Sequence, residues 1–472
     1  MIVRDSVQMV NSAPTDDMLR SVIKEFQTGI QRMQRLREYY DCKHDIRCRA
    51  KRPGDANNKL CHDFPGYIVA MASGYLAGNA ISYASSDQPD SIAALQDAYK
   101  RVSIDSVDSE LATDASIYGK GVEIVYAGRD SMPHASTLDP RCAFVVYDDT
   151  VEHAPLFGVH WYDHYLTNGT KDGIRANVYT ASAHYTYSGM DIEHITMTGP
   201  AAPHRFGDVP LIEYWNNAQE RGDFERVLSL IDAYNLLESD RINDKQQFVD
   251  AIMVFYGVSA AMSETTPDDP RPAAQKLKED RALFFPEYER NRFEWVTKQL
   301  NEEQVEVLKD ALKTDIHKFS MVPDLTDEQF AGNSSGVAMK YKLLGLEQLT
   351  KVKERWFREG LRWRLRMFAR FLAIKGEAPL DPETVTMTFT RSLPVNDLEI
   401  AQTVQQLQGI VPDKMLLTQI PWVNGDVDGA LALLAAQRED DAKRQQRAFG
   451  GTTSLAGQQD TGGTDGSTDE DV

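Results

Sequence analysis

The chain has 472 residues, of which 42% are hydrophobic and 26% are charged, and its formal net charge is −20. A chain of this length normally divides into two or more domains, because a single hydrophobic core does not grow that large. The acidic balance disfavours a protein that grips nucleic acid through extended phosphate contacts, since lysine and arginine make those contacts.

The sequence carries no targeting segment and only a weak metal-site pattern. No apolar run is long enough for a membrane-spanning helix. The N-terminus lacks the apolar core of a signal peptide, so we expect synthesis in the cytoplasm, where thiols stay reduced. Cys42, Cys48 and Cys61 lie near His44 and His62, but without the short C-x2-C spacing that zinc sites favour. We therefore expect no metal and no cofactor, with a zinc-binding adaptor as an alternative.

The first half of the chain combines helix patterns with strand patterns. Apolar residues at helical spacing predict an amphipathic helix over residues 15–40, with Asp16 or Asp17 as its cap. A second helix, rich in small residues, is predicted within residues 57–83. From 120 to 215 short β-branched and aromatic runs alternate with turn residues, which predicts an antiparallel, sheet-rich segment that ends in the strand of GDVPLIEYWNN.

Two long helices are then predicted on either side of a small insert. Asp223 is the expected N-cap of a helix that reaches Val249, and Asn301 opens a second helix that reaches Phe319. The insert, residues 250–300, contains three strand patterns and a proline-rich loop. This order predicts a helical stalk with a β-rich knob at its tip.

The C-terminal part begins with an irregular, acidic segment at residues 320–336. A basic helix is predicted from Val337 to about Lys375, and TVTMTFTRS predicts one more strand. Three short helical runs follow between residues 396 and 448. The remaining Gly/Ser/Thr-rich, acidic residues 449–472 have the composition of a disordered tail.

Three passages of this sequence resemble the portal proteins of tailed bacteriophages with long non-contractile tails. They are NNKLCHDFPGYIVAMASGYLAGNAISY, VPLIEYWNNAQERGDFERVLSLIDAYNLLESDRINDKQQFVDA and DLTDEQFAGNSSGVAMKYKLLGLEQLTKVKERWF. The second and third are specific, because long literal strings recur in the same order. The part beyond about residue 380 is similar only in its helical character.

The resemblance implies an α+β portal fold with wing, long-helix stem, small β-rich clip, tunnel loop and helical crown. The parts fall at residues 1–221 and 337–394 (wing), 222–249 and 301–319 (stem), 250–300 (clip), 320–336 (tunnel loop) and 395–448 (crown).

The implied role is a non-enzymatic ring of about twelve subunits at one capsid vertex of the virion. Its channel conducts double-stranded DNA during packaging and ejection, and the ring nucleates procapsid assembly in the host cytoplasm. The implied partners are further copies of the chain, the terminase, a head-completion protein, and the major capsid and scaffolding proteins, with no membrane. The negative charge then favours a channel along which DNA slides without sticking.

The resemblance also assigns candidate site residues. The tunnel-loop residues are Asp324, Leu325, Thr326, Asp327, Glu328, Gln329, Phe330 and Asn333. The candidate channel cations are Lys309, Lys313 and Lys318, for which a solvated helix face or an intersubunit salt bridge is the alternative. The candidate partner-binding residues of the clip are Phe284, Phe285, Tyr288, Phe293 and Trp295.

Two further expectations concern charge and enzymatic alternatives. The arginine band between residues 351 and 370 is expected to pair with acidic surfaces of neighbouring subunits rather than with DNA. A packaging ATPase is disfavoured, because no G-x4-GK[ST] phosphate cradle occurs. A two-metal nuclease has only Asp148, Asp149 and Asp163 as an obvious carboxylate group, and acidic residues are common throughout this chain.

Overall fold

A computed structural model describes most of the chain. The described residues are 1–5, 13–53, 55–85, 87–248, 252–256, 282–285, 292–296, 302–325, 336–391, 397–418, 420, 423 and 427–450. Two compact units result, one made of Met1–Ser334 and Ala338–Ser392 and the other of Ser335–Val337 and Leu393–Val472. Among the described residues, no helix is both long enough and apolar enough to cross a lipid bilayer.

Helices dominate the start of the larger unit. They are α1 (Asp16–Tyr40), α2 (Phe64–Ala77), α3 (Pro89–Arg101) and α4 (Ile104–Tyr118). The two helices predicted here are confirmed by α1 and α2, but the predicted cap of α1 is wrong. Thr15 is the N-cap and accepts a hydrogen bond from the Met18 N–H. Asp16 and Asp17 lie in the first turn instead, where their charge complements the helix dipole.

The strands of the larger unit up to residue 215, apart from β2, form two main sheets. They are β1 (Ile2–Arg4), β2 (Ser82–Ala84), β3 (Lys120–Ala127), β4 (Pro133–Leu138), β5 (Ala143–Asp148), β6 (Pro155–Tyr165), β7 (Lys171–Thr180), β8 (Ala183–Gly189), β9 (Thr196–Met197), β10 (Ala202–Pro203) and β11 (Leu211–Trp215). A seven-stranded sheet has the order β1-β5-β6-β7-β8-β10, with β9 also paired to β8, and a second sheet has the order β11-β3-β4. All of these pairs are antiparallel except β1 with β5, which is parallel.

The sheet-rich segment is therefore confirmed, but one of its predicted strands is mostly a turn. DIEHITMT begins with a short 3-10 turn at Ile192–His194, and only Thr196–Met197 forms a strand. Asp191 causes the turn, because its carboxylate accepts the backbone N–H of His194 at 3.0 Å. Such a local side-chain hydrogen bond competes with a sheet ladder.

Two helices flank a small sheet, as the sequence predicts. They are α5 (Leu228–Phe248) and α6 (Glu302–Ser320), and between them lie β12 (Ile252–Tyr256), β13 (Ala282–Phe285) and β14 (Arg292–Val296). The strand order is β13-β12-β14. The prediction that Asp223 caps the first helix is wrong. A 3-10 turn precedes α5, and Asp223 is buried against Lys353 instead.

The helix predicted from Val337 to Lys375 is interrupted once. It consists of α7 (Gly336–Lys342) and α8 (Leu344–Lys375), with the break at Leu343. Leu343 is buried, and Gly345, two residues after the break, lowers the helix propensity there. The strand β15 (Thr386–Thr388) then pairs with β2.

The smaller unit is helical in its described part. Its helices are α9 (Asp397–Leu407), α10 (Asp413–Leu417) and α11 (Val427–Gly450), which confirms three helical runs, although the last spans 24 residues. Arg438 on α11 pairs with Asp413 on α10 at 2.9 Å. The predicted tail beyond residue 450 lies outside the described residues.

The helix α8 crosses the core of the larger unit and brings two charges into it. Arg364 is fully buried and bonds Asp108 at 2.6 Å and Glu123 at 2.8 Å. Lys353 is almost fully buried and bonds Asp223. The expectation that this arginine band pairs with neighbouring subunits is thus wrong for these two residues. They lie on the inward side of α8, where carboxylates of the same chain offset the cost of burying a charge.

Candidate functional site

The segment that follows α6 is fixed at its root by a tyrosine of α2. The Tyr67 hydroxyl donates to the carbonyl oxygen of Pro323 at 2.8 Å and accepts the backbone N–H of Leu325 at 3.0 Å. The ammonium of Lys313 lies 2.6 Å from the carboxylate of Asp324. Three consecutive residues, 323–325, are therefore held against α2 and α6 before the chain leaves the described part.

A cluster of rings surrounds this root. The His317 ring meets the Tyr67 ring edge to face at a centroid distance of 5.6 Å and the Phe64 ring at 6.0 Å. Tyr234 of α5 contacts Phe64 in the same way at 5.1 Å. His317 also donates from Nδ1 to the carbonyl oxygen of Val322 at 2.9 Å. The helices α2, α5 and α6 consequently meet at the point from which the segment departs.

The candidate tunnel-loop residues fall into two groups, those anchored at this root and those outside the described residues. Asp324 and Leu325 belong to the anchored part, and the charge of Asp324 is compensated by Lys313. The other candidates lie outside the described residues, namely Thr326, Asp327, Glu328, Gln329, Phe330 and Asn333.

The three candidate channel cations have different surroundings. Lys309 forms an ion pair with Glu306, one turn earlier on α6. Lys313 pairs with Asp324, and Lys318 is exposed with its ammonium 5.5 Å from the ring centroid of Phe319. Two of the three are thus partly neutralised within the chain, which weakens any attraction they exert on phosphate.

The candidate partner-binding residues of the insert lie on strands where they are described. Phe284 and Phe285 end β13, and Phe293 and Trp295 lie on β14. The backbone of β12 pairs with both strands. Tyr288 lies outside the described residues.

A row of polar side chains on α5 binds the extended segment that precedes α2, and sequence patterns alone did not indicate it. Asn235, Ser239 and Asn243 are buried and spaced four residues apart. Their oxygens accept the backbone N–H groups of residues 62, 60 and 58 at 2.9, 3.0 and 2.7 Å. Two residues of extended chain rise about as far as four residues of helix, roughly 6 Å, so the two rows match. The only signal in the sequence was the four-residue spacing of these polar residues, and the many other polar and charged residues of α5 concealed it.

The metal-site alternatives receive no support from the described geometry. No group of three or more His, Cys, Asp or Glu side chains within the described residues is arranged to hold a metal ion. His44 and His62 both bond Asn235, and the thiol of Cys61 accepts from Arg47 at 3.5 Å.

Two of the three candidate nuclease carboxylates, Asp148 and Asp163, have local partners. Asp148 accepts hydrogen bonds from the Thr150 hydroxyl and the Ala154 N–H. Asp163 pairs with Lys171 at 2.9 Å. These contacts stabilise a turn and a strand pair and leave no described group poised for two-metal chemistry.

Comparison with known proteins distinguishes the portal hypothesis from the metal-binding and nuclease alternatives. Residues 19–444 match the family described as Phage portal protein, SPP1 Gp6-like. The chain belongs to this portal family. The resemblance seen in the sequence is thereby confirmed, and the mixed helix and sheet architecture is consistent with a portal fold.

Two phage proteins illustrate the relationship. The portal protein of Bacillus phage SPP1 is 24% identical over 455 residues, which cover 86% of this chain and 84% of that protein. The portal protein of Clostridium phage phiCD119 is 27% identical over 257 residues, 54% of this chain and 53% of that protein. The chain thus spans about half the length of the phiCD119 protein and most of the SPP1 protein. Portal proteins are structural components of the virion.

Proposed function

We propose that this portal-family chain assembles into a closed homo-oligomeric ring at one vertex of the capsid and that double-stranded DNA passes through its channel during packaging and ejection. The family match over residues 19–444 carries the proposal. The resemblance to portal proteins implies about twelve copies, and heterologous contacts that close on themselves would arrange them as a cyclic ring. The chain has no enzymatic role in this proposal and docks the terminase, a head-completion protein, and capsid and scaffolding proteins.

The parts of the chain take the roles implied by the resemblance. Residues 1–221 and 337–394 form the wing, and α5 with α6 forms the stem. The stem helices are joined by ion pairs, because Arg241 on α5 lies 2.9 Å from Glu306 and 3.2 Å from Glu302 on α6. The strands β12, β13 and β14 form the clip, whose aromatic residues meet the terminase and later the head-completion protein.

The segment at residues 320–336 is the proposed tunnel loop. Its root is anchored through Tyr67 and Lys313, while its acidic residues Asp327 and Glu328 repel phosphate. A ring of such loops discourages DNA from sticking, and Lys318 offers a weak, transient phosphate contact. Assembly takes place in the host cytoplasm.

A deletion tests the proposed role of this loop. Because residues 323–325 are anchored, the deletion starts after them and removes residues 326–332. The variant should form rings like the wild type but package or retain less DNA in a complementation assay. Removing the seven residues 451–457 is the matched control and should leave packaging unchanged. Normal packaging by the 326–332 deletion, or failure of its rings to form, would contradict the assignment.

A further inference from the structure

The exposed side of α8 is a narrow arginine strip. Arg355, Glu359, Arg362, Arg366 and Arg370 fall within an arc of about 80° on the helix and span about 22 Å along it. Three of the arginines, at 355, 366 and 370, are exposed and form no ion pair with a described residue. Arg362 pairs with Glu359 at 3.3 Å, and both side chains are about half exposed.

The opposite side of the same helix keeps the strip facing outward. Phe357, Leu361 and Phe368 are buried in the core, and Lys353 and Arg364 are locked to carboxylates. A rotation of α8 that hid the arginines would break these contacts. The strip is therefore a fixed surface feature of the larger unit.

One carboxylate, that of Asp208, lies near the strip but forms no ion pair with Arg366 or Arg370. Burial raises the pKa of Asp208, even though the nearby Arg366 and Arg370 lower it. The guanidinium of Arg370 lies over Gly207, whose backbone has φ +78° and whose missing Cβ leaves the space. The space above Gly207 thus accommodates the Arg370 side chain, which forms no ion pair with a described residue.

We propose that this strip is an intersubunit surface that accepts acidic side chains of a second copy of the chain. The inference rests on the proposed ring. Charge complementarity supports it, because the chain has 71 acidic and only 51 basic residues, so a neighbouring copy presents mostly negative surface. A positive strip offsets the repulsion between two subunits of net charge −20.

The composition of the strip favours protein carboxylates over a phosphate backbone. Glu359 lies inside it and repels a continuous row of phosphates. The chain itself offers a matching spacing on α6, where Glu303 and Asp310 are exposed, seven residues apart, and form no ion pair with a described residue. Arg355 and Arg362 have the same seven-residue spacing, about 10.5 Å on a helix.

A charge-reversal pair tests the surface. Arg362→Glu with Arg366→Glu should raise the protein concentration needed for half-maximal ring assembly by about tenfold or more, as measured by light scattering after gel filtration. Arg129→Glu with Arg175→Glu is the matched control. It makes the same change in net charge at two exposed arginines of the β-rich region and should assemble like the wild type. If the glutamate pair fails to fold, Arg362→Ala with Arg366→Ala should still weaken assembly in the same direction.

The outcomes separate this inference from the proposed function. Wild-type protein that forms no rings contradicts the proposed function. Wild-type rings together with unchanged assembly of the 362/366 variants overturn the inference alone. Unchanged assembly with weaker binding of a short DNA duplex also overturns it and assigns the strip to phosphate.

Discussion

The side-chain oxygen of Asn235 accepts the backbone N–H of His62 at 2.9 Å, while its amide nitrogen donates to Nδ1 of His44 at 2.7 Å. One buried residue of α5 thus fixes two separate segments that precede α2. Ser239 and Asn243 continue the row toward residues 60 and 58. The helix α5 is therefore joined to the segment before α2 by hydrogen bonds to backbone groups, which depend on the identity of the helix residues and not on that of the segment.

The middle bond of this row gives the first prediction. Ser239→Ala leaves the backbone N–H of Leu60 without its partner and should lower the free energy of unfolding by about 1–2 kcal/mol in a urea titration. Ser229→Ala, at an exposed position of the same helix, is the control and should change it by less than about 0.5 kcal/mol. Equal stability of the two variants would show that water replaces Ser239 without cost.

The anchor of the proposed tunnel loop gives the second prediction. Tyr67→Phe removes both hydrogen bonds to residues 323 and 325 but keeps the ring. We expect faster hydrogen exchange at the Leu325 amide and less DNA retained after packaging, with ring assembly intact. Tyr341→Phe, whose side chain is exposed, is the control. An unchanged exchange rate at Leu325 would contradict the anchoring role.

The buried ion pair between Lys353 on α8 and Asp223, which precedes α5, gives the third prediction. The Lys353 ammonium lies 2.6 Å from the Ser116 hydroxyl as well as bonding Asp223. Lys353→Met leaves the Asp223 carboxylate buried without its cation and should lower the free energy of unfolding by about 3–5 kcal/mol. Arg355→Met on the exposed side of α8 should have little effect.

A double-mutant cycle checks the same pair. Asp223→Asn combined with Lys353→Met should lose clearly less stability than the sum of the two single losses, because neither charge is then left unpaired. Additive losses would mean that the two residues stabilise the fold independently.

A carboxyl group on α4 gives a pH-dependent prediction. Burial, together with Asp139 and Glu110, raises the pKa of Asp114 to about 7. Below about pH 4 the group is protonated in both the folded and the unfolded state. Between about pH 4 and pH 7 the unfolded chain has released the proton that the folded chain still holds, so stability falls across this range and the loss is complete above about pH 7.

Removing the ionisable carboxyl group of Asp114 should restore the stability that is lost as the pH rises. Asp114→Asn should raise the free energy of unfolding by about 2 kcal/mol at pH 8, and the gain should vanish near pH 4. Asp105→Asn, at an exposed position of the same helix, is the control. A pH-independent difference between Asp114→Asn and the wild type would contradict titration of the half-buried Asp114 carboxyl as its cause.

Sequence patterns predicted the elements that carry strong periodicity and missed those that do not. The helix α1 has a clear apolar stripe that includes Val22, Ile23 and Phe26, all of which are buried. The helix α4 was not indicated, because its Asp and Ser residues are typical of turns and its buried positions include Asp108 and Ser116. Only the partners Arg364 and Lys353, far along the chain, make those polar positions favourable inside the core.

The candidate site was predictable in outline for the same reason. The acidic composition of residues 320–336 marked the segment, but its attachment depends on Tyr67, more than 250 residues away along the chain. The pairing of Lys313 with Asp324 likewise depends on how the chain turns after α6. A contact between distant residues leaves no local pattern, so single-sequence reasoning located the segment without its anchor.

Imaging the purified wild-type chain by negative-stain electron microscopy at micromolar concentration tests the central claim most directly. The proposed function predicts closed rings of about twelve subunits with an open central channel. Fields that contain only monomers or dimers at that concentration would contradict it.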